Sequence, residues 1–270
     1  MPELPEVETT MRGVAPLLVG ERLTAVEVRR PDLRWPIPPD FRQRLQGAVV
    51  TSVGRRAKYG LMHTDRGDSV ILHLGMSGRL RLNPDRDEKH DHVLFETGKG
   101  RIALNDARRF GSLHIVETDR LETQPLIAAC GPEPLGPEFG AAHVRSVTKD
   151  SLSPVKALLL DGRRIAGLGN IYVCEALFEA GIRPTRKGAR LTKADAGRLA
   201  QTIPAVLSRA IAAGGSSLRD YAQPSGELGY FQHDFRVYGR EREPCHRCGT
   251  AIRRIVQSAR SSFFCPSCQT

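Results

Sequence analysis

The chain has 270 residues and a formal net charge of +10 at pH 7, and this length predicts two domains rather than one. The positive charge predicts a polyanionic partner, either nucleic acid or an anionic membrane surface. No apolar run approaches the ~18 residues of a spanning helix, and the acidic start is unlike a secretory leader, so the sequence favours a cytoplasmic protein that meets nucleic acid.

The chain starts with Met1, a residue that is usually removed when a small residue follows it, as Pro2 does here. A terminal proline carries a secondary amine that titrates near ~8 and is partly neutral and nucleophilic at cellular pH. An aldehyde or anomeric carbon that it attacks becomes a cationic iminium, and Glu3 is placed to donate a proton. The alternative is an ordinary start followed by a helix N-terminus, where Pro and Glu are favoured.

Apolar residues recur at helical spacing after this start, which predicts one amphipathic helix from about 4 to 18. From about 22 to 117, short Val-, Ile- and Leu-rich runs alternate with Gly, Asp and Asn, which predicts eight strands and a β-sandwich. The predicted strands are Thr24–Val28, Val49–Val53, Leu61–His63, Val70–Leu74, Arg79–Leu82, Val93–Phe95, Ile102–Leu104 and Leu113–Val116.

A Pro- and Gly-rich stretch, Gly131–Pro137, breaks this pattern and indicates a linker. Beyond it the helical period returns over Val155–Leu160 and Ile171–Phe178. A longer helix is predicted to begin near Thr192, where Asp195 completes an approximate capping box.

The last forty residues contain two Cys-x2-Cys pairs separated by sixteen residues, a spacing typical of structural zinc sites. Four thiolate ligands leave no open position on the metal, so the zinc is expected to be structural. Two disulfides or four free thiols are the alternative. The predicted ligands are Cys245, Cys248, Cys265 and Cys268, whereas Cys130 and Cys174 lack such spacing and are predicted to be small buried residues.

Four further segments carry residues suited to DNA. Gly167–Tyr172 opens a helix, so its backbone could meet a phosphate, although Asn170 could equally be a plain N-cap. Phe110 lies next to two arginines in a predicted loop, and Met76 lies in a Gly-rich turn. Both fit the apolar wedges that unstack bases, or else packed hairpin ends. The basic run Arg55–Tyr59 indicates a phosphate-contacting or solvated face.

These motifs occur in order over nearly the whole chain, and together they resemble those of the bacterial formamidopyrimidine-DNA glycosylases, enzymes that remove 8-oxoguanine and ring-opened purines. The matching segments are Pro2–Thr9, Arg55–Tyr59, His73–Gly78, Lys89–His92, Arg108–Gly111, Gly167–Tyr172 and the four cysteines.

The resemblance implies an α+β protein that grips DNA between two domains. An N-terminal helix and β-sandwich would occupy residues 1–131, and a linker residues 132–150. A helix-two-turn-helix domain would occupy residues 151–231, followed by a zinc finger over residues 232–270. The resemblance further implies one structural Zn²⁺ per chain, a monomer, and a place in the bacterial cytosol at the nucleoid, with double-stranded DNA as the partner and no membrane.

The same resemblance implies a bifunctional glycosylase and AP lyase of base excision repair. Pro2 would attack the anomeric carbon of the damaged nucleotide and form a Schiff base, while Glu3 protonates the sugar ring oxygen. Lys58 would assist β-elimination, and Arg260 would serve δ-elimination. The expected substrates are 8-oxoguanine opposite cytosine and formamidopyrimidines.

DNA contacts are likewise implied by the resemblance. Lys58, His73, Asn170 and Arg260 would hold phosphates around the lesion, and Lys156 a neighbouring phosphate. The residues that would fill the gap left by the flipped nucleotide are Met76, Arg108 and Phe110, with Arg108 on the orphaned cytosine and His90 along the DNA.

Two positions depart from the family pattern. Ala107 replaces a usual proline, which predicts a looser hairpin around Arg108, and Ser151 replaces a basic residue that often contacts DNA. The segment Gly214–Tyr230 resembles the loop that covers the flipped base. Two rival interpretations are the related endonuclease VIII branch, which favours oxidised pyrimidines, and a non-catalytic zinc-bearing nucleic-acid binder. The endonuclease VIII branch shares the terminal proline, but its start and its intercalating residues differ from Pro2–Glu6, Met76 and Phe110. The Pro2-Glu3 pair and Lys58 argue against the non-catalytic binder.

Overall fold

The computed structural model describes residues 2–217 and 222–270. Contacts divide the chain into two compact units: unit 1 comprises Met1–Ala128 and Ile211–Tyr230, and unit 2 comprises Ala129–Ala210 and Phe231–Thr270. Within the described residues, no helix is both long and apolar enough to cross a membrane. These units are defined by contacts alone, so the domain boundaries expected from the sequence stay a prediction.

Unit 1 begins with helix α1, Leu4–Leu18, over the range that the sequence predicts. Pro5 is tolerated in the first turn because the N–H groups there have no partner within the helix. Glu6 accepts a hydrogen bond from the backbone N–H of Glu3 at 2.8 Å, which satisfies a donor ahead of the helix. The apolar face that packs into the core consists of Val7, Met11, Val14 and Leu18.

All eight predicted strands are present, and they form two four-stranded antiparallel sheets, which confirms the predicted α+β class. They are β1 (Ala25–Val28), β2 (Val50–Arg56), β3 (Tyr59–Thr64), β4 (Asp68–His73), β5 (Arg79–Leu82), β6 (Asp91–Thr97), β7 (Gly100–Asn105) and β8 (Ser112–Glu117). One sheet has the order β1-β6-β7-β5 and the other β2-β3-β4-β8. Both sheets and α1 contribute to a single core.

Several features of the fold were not predicted. A short helix α2, Phe41–Leu45, follows β1, and α3 is Pro125–Ala128. The expected linker contains helix α4, Ala141–Thr148, whose Val144 is fully buried. Polar residues occupy half of this helix, which weakens its apolar pattern.

Two described residues of the expected helix-two-turn-helix domain, Ser216 and Pro224, make contacts within unit 1. The backbone N–H of Ser216 donates to Glu6 Oε1 at 2.9 Å, and that of Leu82 donates to the carbonyl of Pro224 at 3.1 Å. Residues 218–221 of the expected base-covering loop, and Met1 with its expected removal, lie outside the described residues.

Unit 2 is helical, with a terminal hairpin. Its elements are α4, α5 (Val155–Leu160), α6 (Asn170–Glu179), most of α7 (Lys193–Ala212), β9 (Arg253–Gln257) and β10 (Arg260–Phe264). The predicted capping box is confirmed, because Thr192 N–H donates to Asp195 Oδ2 at 2.7 Å and Asp195 N–H donates to Thr192 Oγ1 at 3.1 Å. The last strands pack through Ile252 and Phe263 against Phe178 of α6.

Candidate catalytic and nucleic-acid-binding sites

The expected nucleophile and acid lie at the start of α1. Pro2 is buried, and Glu3 is only 3% exposed. The carboxylate of Glu6 fixes the backbone of Glu3 through one oxygen and that of Ser216 through the other. Because a buried carboxylate is costly unless it accepts hydrogen bonds, these bonds hold Glu6 and the residues that it contacts in one arrangement.

Lys58 and His73 lie at the same end of one sheet. Lys58 follows Ala57 in the two-residue turn between β2 and β3, where Ala57 adopts a left-handed backbone with φ +54°. Its neighbour Tyr59 pairs with His73 across the sheet, and the two rings lie in tilted contact with 5.2 Å between their centroids. The geometry therefore brings two of the expected phosphate ligands into one place.

His73 is held as a neutral imidazole. Burial lowers its pKa from 6.5 to about 4, and the positive charges of Lys58 and Arg34 add to this effect, while Asp106 opposes it. The backbone N–H of Gly75 donates to Nδ1 at 3.1 Å, so the ring proton is assigned to Nε2. His73 can therefore donate one hydrogen bond to an anion without adding a positive charge.

This assignment predicts the acid response of the protein. Between pH 6.5 and about 4, the unfolded chain binds a proton at position 73 that the folded chain rejects. The free energy of unfolding should therefore fall as the pH is lowered through this window, by up to roughly 3 kcal/mol from His73. His73→Asn should reduce this loss. An NMR titration of the imidazole nitrogens should show a midpoint near 4, and a midpoint near 6.5 would contradict the assignment.

The two expected wedges, Met76 and Phe110, lie on loops that touch each other. Gly75 has φ +62°, and a Cβ there would come within 2.3 Å of the backbone of Phe110, so only glycine allows this approach. The Phe110 ring is 44% exposed, and the guanidinium of Arg108 lies 4.8 Å from its centre. Phe110 is thus an exposed apolar tip rather than a packed hairpin end.

A buried carboxylate, Asp106, organises both loops. Ser77 of the Met76 loop donates its hydroxyl to Oδ1 at 2.7 Å, and Gly111 N–H donates to Oδ2 at 2.8 Å. The backbone N–H of Asp106 donates to the carbonyl of His90 at 3.0 Å, which brings this expected DNA contact beside the hairpin. These bonds restrain the loop around Ala107, where the sequence suggested a looser hairpin.

In unit 2, three expected residues meet at Ser261. Asn170, the first residue of α6, donates its amide to the Ser261 carbonyl at 2.9 Å, and Gly169 rather than Asn170 is the N-cap. The ammonium of Lys156 donates to the same carbonyl at 2.8 Å. Arg260 precedes Ser261 at the start of β10 and is exposed.

Two basic or polar positions lie apart from these groups. Ser151 is half-buried, its hydroxyl accepts a hydrogen bond from the backbone N–H of Ser153 at 3.3 Å, and its carbonyl accepts one from Ala189 N–H at 2.8 Å. Arg55, which was expected on a solvated or phosphate-contacting face, has a buried side chain that pairs with Glu8 of α1 at 3.0 Å. The run Arg55–Tyr59 therefore serves the core as well as the surface.

The four predicted zinc ligands form one cluster. Their sulfur atoms all lie within 4.8 Å of one another, with 3.5 Å between Cys248 and Cys265 and 4.0 Å between Cys245 and Cys268. Zinc–sulfur bonds of ~2.3 Å require sulfurs about 3.8 Å apart at a tetrahedral ion, so the donor set fits zinc. The thiols therefore belong to a metal site rather than to two separate disulfides.

Sequence reasoning missed residues that support these sites. Glu175 of α6 is buried and accepts the backbone N–H groups of Arg236, Val237 and Tyr238 at 2.8 to 3.0 Å, which ties α6 to the chain leading into the zinc cluster. Burial raises the pKa of Glu175, and these three donors oppose the rise. An acidic residue in the otherwise apolar run Ile171–Phe178 was the available signal.

A second missed feature lies beside Phe110. Arg34 N–H donates to the carbonyl of Gly111 at 3.0 Å, and its guanidinium lies 4.8 Å from the ring centre of Trp35, which is 42% exposed. Trp35 is the single tryptophan of the chain, and its position directly after Arg34 was the available signal in the sequence.

Three protein-family models match successive parts of the chain. Residues 1–113 match the model of the formamidopyrimidine-DNA glycosylase N-terminal domain, residues 130–222 match that of its H2TH domain, and residues 242–270 match the zinc finger found in FPG and IleRS. A formamidopyrimidine-DNA glycosylase of Novosphingobium aromaticivorans is 58% identical over 270 residues, which is 100% of each chain.

Solved structures are also similar. The MutM (FPG) protein of Thermus thermophilus has a TM-score of 0.90 and 40% identity, over 99% of this chain and 98% of that chain. Wild-type Lactococcus lactis Fpg, in complex with DNA containing N7-benzyl-Fapy-dG, has a TM-score of 0.92 and 34% identity over 100% of both chains.

Proposed function

Because the chain belongs to the formamidopyrimidine-DNA glycosylase family, and is therefore a DNA-binding glycosylase of DNA repair with a metal-binding zinc finger, we propose that it removes oxidised purines and then cuts the strand. The observation that carries this proposal is the Pro2-Glu3 pair at the start of α1, with its backbone fixed by Glu6. The Lactococcus lactis relative, solved with a Fapy-dG derivative in DNA, supports the substrate class.

In the proposed reaction the damaged nucleotide leaves the base stack, because a protein nucleophile cannot reach an anomeric carbon inside a duplex. The Pro2 nitrogen bonds to the anomeric carbon as the bond to the base breaks, and the base leaves with that electron pair and takes up the proton that the nitrogen loses. Glu3 protonates the sugar ring oxygen, so the ring opens and an iminium forms on Pro2. General acid help of this kind contributes roughly 10² to 10⁴ in rate.

Strand cleavage follows from the iminium. Its positive charge acidifies the adjacent sugar carbon, which loses a proton while the 3′ phosphate leaves, and Lys58 assists this β-elimination. A second proton loss expels the 5′ phosphate, and Arg260 serves this δ-elimination. The iminium accepts the electrons in these steps, so no catalytic metal is needed. The zinc that we propose, one per chain, is structural because four cysteines leave no open position on it.

Phosphate contacts offset the cost of base extrusion, which is a few kcal/mol. Lys58 and His73 of unit 1 and Asn170 and Arg260 of unit 2 supply these contacts in the proposal. Neutral His73 and Asn170 donate hydrogen bonds only, so the salt dependence of DNA binding should come mainly from lysine and arginine, at a slope of about −0.9 per phosphate neutralised.

The proposal is tested with three duplexes that carry 8-oxoguanine, a formamidopyrimidine or an oxidised pyrimidine. We expect rapid excision of both purine lesions and slow excision of the pyrimidine. The reverse ranking would favour the specificity of the endonuclease VIII branch. Binding of all three duplexes without excision would favour the interpretation of the protein as a non-catalytic nucleic-acid binder.

Opposite-base choice should depend on Arg108. Its guanidinium lies over the exposed Phe110 ring, where it can read the edge of an orphaned cytosine. Arg108→Ala should reduce the preference for cytosine over adenine opposite 8-oxoguanine by about 10-fold or more, since one specific base contact contributes ~1 to 3 kcal/mol. The measurement is the ratio of excision rates on the two duplexes.

The matched control is Arg109→Asn, which removes the neighbouring charge. Arg109 has φ +56°, a conformation that asparagine tolerates, and its described ion pair is with Asp32 at 3.9 Å. This variant should keep the cytosine preference. Equal loss of preference in both variants would show that charge rather than base reading sets the ratio.

A further inference from the structure

We propose that Lys156 is a positioning residue for Arg260, and that it acts through the carbonyl of Ser261 instead of contacting a DNA phosphate. This inference rests on the proposed function in one respect, which is that Arg260 meets a phosphate. It replaces the phosphate contact that the family resemblance implied for Lys156.

The first argument is the burial of Lys156. The residue is 1% exposed, and its ammonium donates to Ser261 O at 2.8 Å and to Ser262 Oγ at 2.7 Å. Ser262 is itself fully buried. An ammonium group removed from water costs several kcal/mol unless its protons are hydrogen-bonded, so its partners hold it there. Such a group presents almost no surface to a phosphate in solvent.

The second argument is the place of these partners in the chain. Ser261 directly follows Arg260, so the carbonyl that Lys156 binds lies one residue after the arginine, in the peptide group between Ser261 and Ser262. Asn170 donates to the same carbonyl at 2.9 Å, from the first turn of a different helix. One carbonyl is therefore held by side chains from α5 and α6, both of which are packed in unit 2.

The third argument is that hydrogen bonds, rather than apolar packing, restrain the hairpin end. β9 and β10 are joined by Ser258 and Ala259, both in left-handed conformations with φ +48° and +57°. Val256 is 68% exposed, so the outer end of the hairpin has little packing of its own. Arg254 Nε donates to Ser261 Oγ at 2.9 Å, and Gln257 Nε2 donates to the Pro184 carbonyl at 3.4 Å. The bonds to the Ser261 carbonyl act together with these two in holding the backbone of Arg260.

The test is a double-mutant cycle with Lys156→Met, which keeps the length of the side chain but removes its donors, and Arg260→Gln. Affinity for a duplex with a non-cleavable abasic analogue is measured at several salt concentrations. Each single variant should weaken binding roughly 10- to 100-fold and reduce the salt slope by about 0.9. The double variant should be no weaker than Arg260→Gln alone.

Independent phosphate contacts would give a different result. The two losses would then multiply, and the double variant would lose about 1.8 from the slope. That outcome, or unchanged binding by Lys156→Met, overturns the inference. Failure of the wild-type protein to bind the duplex would instead contradict the proposed function, and the inference with it.

Ser262→Ala provides a second variant that keeps the lysine charge. It removes one partner of the Lys156 ammonium and leaves the side chains of Lys156 and Arg260 unchanged. A positioning lysine predicts weaker binding and a smaller salt slope in Ser262→Ala, and no further loss when Arg260→Gln is added. A lysine that contacts phosphate directly predicts the wild-type slope, which overturns the inference. Zinc content, measured for every variant, verifies that the finger remains folded.

Discussion

Protein that keeps Met1 ahead of Pro2 should form no covalent bond to DNA and should cut lesion duplexes at least ~10³-fold more slowly than the mature chain. The peptide bond to Met1 turns the Pro2 amine into an amide, which lacks an available electron pair for attack on a sugar carbon. The mature chain, treated with borohydride during turnover of an 8-oxoguanine:cytosine duplex, should give a stable amine. Peptide mapping should place the DNA remnant on Pro2.

One variant separates the acid from the amine. Glu3→Gln keeps the amine and should lose roughly 10² to 10⁴ in base excision, because the ring oxygen lacks its proton donor. Pro16→Ala changes an exposed residue in the last part of α1 and should behave as wild type, which controls for substitution within this helix. An adduct on Lys58, or full activity with Met1 in place, would overturn the assignment of Pro2.

Removal of one zinc ligand should have the second large effect. Cys265 is fully buried in unit 2, so Cys265→Ser should abolish metal binding and with it the order of β9 and β10, because zinc supplies much of the folding free energy of so small a module. Arg260, the first residue of β10, would then no longer be held in a fixed position. DNA affinity should fall at least about tenfold, since a charged hydrogen bond contributes ~1.5 to 3 kcal/mol.

Elemental analysis and a binding assay measure this outcome together. Wild-type protein should contain one zinc per chain, and Cys265→Ser none. Cys130→Ala changes a cysteine outside the cluster and should retain both zinc and affinity. Active wild-type protein without zinc, or unaltered DNA binding by Cys265→Ser, would contradict a structural finger.

Features that depend on local sequence were predicted well. The range of α1 follows from its apolar spacing and from the Pro and Glu residues at its start, and the capping box of α7 follows from Thr192 and Asp195. The cysteine spacing also predicted the cluster, because a tight turn brings each pair together within a few residues. Eight strands were found for the same reason, since each is a short apolar run.

Features that depend on tertiary partners were not predictable in this way. A lysine in a sequence carries no sign of whether its ammonium is buried, so the hydrogen bonds of Lys156 to Ser261 and Ser262 appear only in the fold. Nothing local indicates that Glu6 binds Ser216, over two hundred residues away in the chain. The same holds for Asp106, whose role becomes visible only when the two wedge loops are adjacent.

Asp106 has a mechanical consequence. Because this one carboxylate holds the Ser77 hydroxyl and the Gly111 N–H, and Gly75 rests on the backbone of Phe110, the two wedge loops cannot shift separately. If Phe110 enters a base stack as proposed, a force on its loop is transmitted to the Met76 loop through hydrogen bonds that are already formed. The two loops would then move as one rigid unit, so that insertion of Phe110 would bring Met76 to the same place.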